Sequence, residues 1–207
     1  MSAHPIVRPT LAERRKQETR MDIARTAARL FAEHGTSEVT AEQIASESGV
    51  ALRTFYRYAR TKEEAVEPLL ATGAQRWLEA VAAGPRRLPT LAELEEAVES
   101  SLTFEGAPED LETTRGLIHA MDDDPALRTV WHRINMEAER DLLRVLTGLG
   151  GPAADPLQLR LLAAASAGAI RIAVEQWASD NAPATGPGSP ADLAVRSLRA
   201  LAGGIGH

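Results

Sequence analysis

The sequence contains no cysteine, which excludes a disulfide framework, a thiolate metal site and a cysteine nucleophile. Aromatic residues make up only 4% of its 207 positions, and the five histidines are dispersed without the spacing of metal ligands. No Walker loop, G-x-G-x-x-G, H-E-x-x-H or G-x-S-x-G motif occurs. We therefore predict no metal, no cofactor and no catalytic residues, and hence no enzymatic activity.

The N-terminus lacks the apolar region of a secretory signal. The most apolar stretch, residues 157–174, is interrupted by Gln158, Arg160, Ser166 and Arg171. This composition indicates a buried helix rather than a membrane span. We expect a cytoplasmic protein with no membrane partner.

Charge is distributed unevenly along the chain. Residues 1–62 carry 11 Lys and Arg against 7 Asp and Glu, a net charge of +4, whereas the remaining residues carry 12 against 22, a net charge of -10. The two parts together give the formal net charge of -6. Such a division predicts a polyanion-binding N-terminal segment joined to a body with another task.

Helix signals recur along the whole chain and predict an all-α fold. Capping-box patterns begin at Thr40, Thr61 and Thr90, and a capping side chain precedes proline at Asp124, Asp155 and Ser189. Together with the apolar periodicity they predict about nine helices, over residues 11–34, 41–48, 52–59, 62–82, 91–104, 108–121, 125–146, 157–178 and 191–202. Residues 181–190 are rich in Pro and Gly and are predicted to be a mobile linker.

Two short helices joined by Gly49 and Val50 follow a longer helix, which is the helix-turn-helix pattern. We predict an N-terminal arm and helix-turn-helix domain over residues 1–62 and a second helical domain over residues 63–207, linked by the fourth helix. On a helical wheel, the arginines of residues 52–60 share one face, away from Phe55 and Ala59. Guanidinium groups suit guanine edges and phosphates, so this face is predicted to meet DNA.

Residues 21–70 closely resemble the DNA-binding domain of TetR-family transcriptional regulators. The motifs that carry the resemblance are IARTAARLF at 23–31, VTAEQIA at 39–45, GVALRTFYRY at 49–58 and TKEE at 61–64. The resemblance implies a homodimer that binds palindromic operator DNA. It implies base-edge contacts by Leu52, Arg53, Thr54 and Arg57, and phosphate contacts by Thr40, Tyr56, Tyr58 and Lys62.

The sequence departs from the family pattern at three positions. Thr36 stands where an aromatic residue is common, Ala51 takes the place of a Ser or Thr cap before the recognition helix, and Ala59 replaces a Phe. The loss of the cap is expected to cost the third helix about 1 kcal/mol. Basic residues before this domain are candidates for an arm that reaches DNA, and the best candidates are Arg14, Arg15 and Arg20.

The body resembles the C-terminal domain of the acyl-CoA-like ligand-binding subgroup, through DPALR at 124–128 and the small-residue run at 159–177. A small, largely apolar effector is therefore expected, with an acyl-CoA-like molecule as one option. Apolar lining residues with a few polar groups make a binding pocket. The candidate pocket residues are Leu117, His119, Met121, Trp131, Ile134 and Asn135.

Small residues along 157–178 permit the close approach of a partner helix. With helix 191–202 beside it, a four-helix interface between two subunits is predicted. The candidate interface residues are Ala164, Gly168, Arg171, Trp177 and Leu198. A helix buried within a monomer is the alternative for this segment.

A ligand-responsive transcriptional repressor is the function that these patterns favour. An activator or architectural DNA-binding protein without a ligand is a second hypothesis. The third, from another class, is an all-α enzyme or small-molecule carrier whose basic segment is incidental.

Overall fold

The computed structural model describes residues 10–103, 108–179 and 182–203, without the side chains of residues 108–110. Nine α-helices and one 3-10 turn occur in these ranges, and no strand is present in them, which confirms the predicted all-α class. The helices are α1 (Leu11–His34), α2 (Ala41–Glu47), α3 (Leu52–Tyr58), α4 (Glu67–Ala82), α5 (Leu91–Leu102), α6 (Pro108–Ala120), α7 (Pro125–Gly150), α8 (Pro156–Ser179) and α9 (Pro190–Gly203).

Side-chain caps fix the starts of most helices where the sequence predicts them. The Thr40 hydroxyl accepts a hydrogen bond from the Gln43 N–H at 3.1 Å, and the Asp124 carboxylate accepts from the N–H groups of Ala126 and Leu127. At the other end of α1, Gly35 adopts a φ of 81°, a backbone conformation that favours glycine. Local side-chain chemistry therefore sets these boundaries.

The predicted fourth helix is divided by its proline. A 3-10 turn over Glu63–Val66 comes first, and α4 begins at Glu67, so that Pro68 lies in its first turn. A proline there removes no helical hydrogen bond, because the first N–H groups of a helix have no partner within it.

The chain divides into two compact units, one ending at Leu69 and the other beginning at Leu70. The 3-10 turn packs against α1 and belongs to the first unit; the domain division at residues 62 and 63 stays a prediction. The core of the first unit is apolar and includes the predicted stripe of α1. Its main members are Ile23, Ala27, Leu30 and Phe31 of α1, with Val39, Ile44, Ala45, Phe55 and Val66.

The core of the second unit is built from α4, α5, α7, α8 and α9. Its large buried side chains include Trp77, Val98, Leu142, Leu146, Leu159 and Leu198. The α8–α9 connection is tied to this unit, contrary to the predicted mobile linker. The Trp177 indole N–H donates to the Pro183 carbonyl at 3.1 Å, and the Arg115 guanidinium donates to the Ala182 carbonyl.

Glu93, in the first turn of α5, is the carboxylate of the second unit whose pKa is shifted furthest from its ordinary value. The Arg87 guanidinium donates two hydrogen bonds of 2.7 Å to Glu93, and Thr90 donates from its backbone and hydroxyl. These contacts, of which the hydrogen bonds from Arg87 have the largest effect, lower the pKa of Glu93 from 4.5 to about 2. Ionised Glu93 therefore stabilises the fold above the unfolded-state pKa and loses that contribution as the pH falls toward the folded-state value.

We expect Glu93→Gln to lower the urea midpoint at neutral pH. The difference from wild type should shrink as the pH falls below 4.5 and vanish near pH 2. Glu96→Gln is the matched control, because the described residues offer Glu96 no ion-pair partner. A Glu93→Gln difference that persists undiminished near pH 2 would contradict the assignment.

Candidate DNA-binding face

The third helix divides cleanly into a buried side and an exposed side. Phe55 and Ala59 are buried in the first unit, whereas Arg53 and Arg57 are exposed and the Tyr56 side chain is half-exposed. The Tyr56 ring packs edge-on against Phe55, with centroids 5.4 Å apart. This division follows the helical wheel, since three- and four-residue spacings lie on one side of a helix.

The exposed side of α3 carries arginines without acidic partners. No carboxylate among the described residues pairs with the guanidinium groups of Arg53, Arg57 or Arg60. Elsewhere in the same unit the pattern is different: Arg29 contacts both Glu33 and Glu47. A cluster of unpaired like charges is unfavourable unless a polyanion approaches it, so this face favours phosphate or base contacts.

Arg57 is oriented by its neighbour. Its guanidinium carbon lies 5.3 Å from the centroid of the Tyr58 ring, within the range of a cation–π contact. A stacked guanidinium keeps its in-plane N–H donors available and loses less side-chain entropy on binding. The arrangement therefore prepares Arg57 for a directional hydrogen-bond contact.

The turn before α3 is held by backbone hydrogen bonds. Gly49 has a φ of 68°, and the Val50 N–H donates to the Ala45 carbonyl at 3.0 Å. Ala51 is the N-cap of α3 and provides no side-chain cap, as the sequence predicts. The helix that carries the arginines thus begins with unsatisfied N–H groups.

Ala51→Ser is expected to raise the free energy of unfolding by about 1 kcal/mol, because a serine hydroxyl accepts a hydrogen bond from the second or third helical N–H. Chemical denaturation followed by circular dichroism measures this change. Ala32→Ser, at an exposed interior position of α1, is the matched control and should destabilise by roughly 0.5 kcal/mol. Equal effects from the two substitutions would show that capping is not the cause.

Two further predicted contacts lie at the edges of α2 and α3. Thr40 is exposed, and its hydroxyl accepts from the Gln43 N–H while keeping its own proton available. Lys62 has a second task that the sequence did not indicate: its ammonium donates to the Thr36 carbonyl at 2.6 Å and to the Val39 carbonyl at 2.9 Å. The lysine thereby fastens the turn between α1 and α2, and its ammonium also lies 3.9 Å from the Glu63 carboxylate.

The basic residues predicted to form an arm lie on α1. Arg14 and Arg15 are exposed there, and no ion pair joins them to other described residues. Arg20 is exposed too, but its guanidinium lies 3.1 Å from the Glu67 carboxylate. Residues before Thr10 lie outside the described part of the chain.

A protein-family comparison identifies this arrangement. Residues 23–67 match the model described as bacterial regulatory proteins, tetR family. This segment is similar to the DNA-binding segment of tetR-family regulators. The match covers α2, α3 and the second half of α1, and so includes the helix that presents Arg53 and Arg57.

Solved structures share the fold over nearly the whole chain. FadR from Bacillus halodurans, a fatty acid degradation regulator, is 18% identical with a TM-score of 0.55, over 91% of this chain and 97% of its own. Thermus thermophilus FadR, solved with lauroyl-CoA, is 23% identical with a TM-score of 0.51, over 91% and 95%. The multidrug binding protein EbrR, solved with imidazole, is 22% identical with a TM-score of 0.51, over 88% and 93%. At these identities the likeness shows the fold alone.

Among the curated proteins, none is significantly similar to this chain in sequence.

The predicted effector residues lie mainly in packed positions. Leu117, Met121, Trp131 and Ile134 are buried, whereas His119 is exposed. The Asn135 amide donates to the Trp131 carbonyl of its own helix at 2.8 Å. The Trp131 indole N–H donates to Glu175 at 2.7 Å, and Arg171 pairs with the same carboxylate at 2.8 Å. These residues form core and a polar network, and their use as a pocket stays a prediction.

The predicted interface residues separate into two groups. Ala164 is exposed and a side chain at Gly168 would meet nothing within 4 Å, so both face outward with Arg171 beside them. Trp177 and Leu198 are only 1% and 4% exposed because they pack inside their own subunit. We therefore remove Trp177 and Leu198 from the proposed interface.

An exposed apolar stripe on α8 was missed at the sequence level. Leu157, Leu161 and Ile172 are 64%, 61% and 54% exposed, and Ala164 and Gly168 lie between them on the same face. The spacing of four, three, four and four residues is readable in the sequence, but both sides of α8 are apolar. Only packing shows that Leu159 and Ala163 point to the core.

Within the described residues, α8 is also the one helix with the length and apolar composition of a membrane span, with a mean hydropathy of 1.4. One third of that window is buried in the second unit, and Arg160 and Arg171 lie within the helix. One such helix is weak evidence for a membrane protein, because the core helix of a soluble protein has the same composition.

Proposed function

We propose that this protein is a TetR-family transcriptional regulator, a cytoplasmic repressor that binds a palindromic operator as a homodimer and is released by a small, largely apolar effector. One observation carries the proposal. Arg53 and Arg57 on the exposed face of α3, and Arg60 just beyond its end, have no acidic partner for their guanidinium groups among the described residues, and the other face of the helix is fixed in the core. Such a helix fits the major groove.

The residues of this face are assigned by their chemistry. We assign base edges to Leu52, Arg53, Thr54 and Arg57, because they lie on the first turns of α3 and a guanidinium fork matches guanine O6 and N7. We assign phosphates to Thr40, Tyr56, Tyr58 and Lys62, whose hydroxyl and ammonium groups donate without base selectivity. Arg14 and Arg15 are proposed as additional phosphate contacts from α1.

The proposed dimer uses the apolar stripe of α8, defined by Leu157, Leu161, Ala164, Gly168 and Ile172. Large exposed apolar side chains in a row favour burial against another protein surface. A two-fold axis would bring two copies of this self-complementary stripe together. Operator recognition supports the dimer, because two recognition helices read half-sites about one DNA turn apart.

The effector is proposed to bind the second unit and to favour a conformer that no longer fits the operator. To release DNA it must bind that conformer more tightly than the operator-competent one. Thermus FadR, solved with lauroyl-CoA, and EbrR, solved with imidazole, give examples of small molecules held by proteins of this fold.

Fluorescence anisotropy tests the DNA-binding proposal with labelled DNA from the upstream region of the protein's own gene. We expect affinity that falls steeply with salt, because each phosphate contact releases counterions. The control is a shuffled duplex of equal length and composition. Absence of salt-sensitive binding to any genomic fragment would refute the proposal.

An activator or architectural DNA-binding protein without a ligand remains the second candidate. This candidate rests on the same unpaired arginines of α3, but it assigns no ligand to the second unit. Operator binding that no small molecule alters, together with an unchanged melting temperature, would favour it.

A further inference from the structure

The indole N–H of Trp77 is a buried donor without an acceptor. Trp77 lies on α4 with only 2% of its surface exposed, and no hydrogen-bond partner for its nitrogen is present among the described residues. The indole N–H groups of Trp131 and Trp177 donate to Glu175 and to the Pro183 carbonyl. Buried polar groups are nearly always paired, so an unpaired one requires an explanation.

A cavity of about 340 Å³ lies between α4, α5 and the end of α7. Its lining includes the apolar residues Ala80, Val81, Ala97 and Leu149. Val81 and Ala97 belong to the same core cluster as Trp77, and Val81 follows Trp77 by one helical turn. Two lining residues of the cavity therefore belong to the same core cluster as the unpaired indole.

The remaining lining residues give this cavity a negative rim. Arg87 and Glu93 lie there and neutralise each other through their two hydrogen bonds. Glu96 lines the same cavity as an exposed carboxylate with no ion-pair partner in the described part of the chain. Residues 70–207 together carry 12 Arg and no Lys against 19 Asp and Glu. Long-range and local charge both disfavour an anionic ligand.

We propose that this cavity binds a cationic amphiphile: an apolar body, a carbonyl oxygen that accepts from the Trp77 N–H, and a protonated amine directed to Glu96. Trp77 does not line the cavity itself, so the ligand reaches its N–H when the side chains of Val81 and Ala97 move aside. A coenzyme A thioester, with its phosphates, is the ligand class that this rim disfavours. The inference rests on the proposed effector-binding role of the second unit.

The test uses the full chain labelled with ¹⁵N at tryptophan, whose three indole N–H groups give three resonances. The probes share one aromatic ring and differ in charge: procaine is a cationic ester, benzocaine an uncharged ester and 4-aminobenzoate an anion. We expect procaine to shift the Trp77 resonance, identified by its loss in Trp77→Phe, and to leave the Trp131 and Trp177 resonances in place. Benzocaine should bind about two- to fivefold more weakly, and 4-aminobenzoate more weakly again.

Two substitutions separate the proposed contacts. Trp77→Phe keeps a ring and removes the donor, and should weaken procaine binding measured by calorimetry about three- to tenfold. Glu96→Gln should abolish the preference for procaine over benzocaine. Glu99→Gln is its matched control on the same helix, because Glu99 is not part of this cavity's lining, and should preserve the preference.

The proposal is overturned if millimolar procaine leaves the Trp77 resonance unmoved, or if the anionic probe binds best. Operator binding is measured on the same samples without probes. A protein that binds DNA but not procaine refutes this cavity assignment alone, whereas a protein that fails to bind DNA refutes the proposed function.

Discussion

Arg53→Ala is expected to weaken operator binding by about 1–3 kcal/mol for each recognition helix and to relax base preference at one position in each half-site. The Arg53 side chain is exposed near the start of α3 and has no acidic partner in the described structure. Its loss therefore leaves the fold intact and removes a contact made only with DNA. Anisotropy titrations against the operator and against every single-base variant of one half-site measure the effect.

The contrast with random DNA makes this prediction specific. A base-edge contact contributes little to non-specific binding, so affinity for a shuffled duplex should change much less than affinity for the operator. Arg196→Ala is the matched control, since Arg196 is an exposed arginine on α9 in the other unit. Equal losses of affinity for the operator and for the shuffled duplex would indicate that Arg53 contacts a phosphate rather than a base.

Leu161→Glu is expected to convert the proposed dimer into monomers and to reduce operator affinity by at least the same order as Arg53→Ala. Leu161 is 61% exposed at the centre of the apolar stripe of α8. Two-fold symmetry would bury one new carboxylate from each subunit in the same interface, and burying unpaired charges costs several kcal/mol. Sedimentation equilibrium gives the mass, and anisotropy gives the affinity.

Met136→Glu provides the matched control for this substitution. Met136 is also a large exposed apolar residue, 48% exposed, but it lies on α7 outside the stripe. It should leave the mass and the operator affinity unchanged. A wild-type protein that is monomeric at micromolar concentration, or a Leu161→Glu variant that stays dimeric, would contradict the proposed interface.

The sequence predicts the parts of this protein that depend on local chemistry. Thr40, Thr90 and Asp124 cap their helices through bonds to N–H groups two or three residues away, so their effect is readable without the fold. The separation of Phe55 from Arg53 and Arg57 follows in the same way from helical periodicity. Because these signals are local, the exposed arginine face of α3 can be predicted from the sequence.

Features that depend on tertiary packing escaped prediction. Lys62 contacts carbonyl groups more than twenty positions earlier in the chain, and no spacing rule indicates such a bond. The sequence predicts Trp177 at an interface because it lies on an apolar helix. In the structure its side chain is buried, and the guanidinium carbon of Arg115 lies 4.4 Å from the centroid of its ring. On α8 both faces are apolar, and burial alone distinguishes core from stripe.

Selection of duplexes from a random DNA library by the wild-type protein tests the central claim most directly. Enrichment of a palindrome, with two half-sites centred about one helical turn apart, is the predicted result. Arg53→Ala should recover the same spacing with one degenerate position in each half-site. No enriched sequence, or an asymmetric site bound by a single chain, would contradict a dimeric regulator that reads DNA through α3.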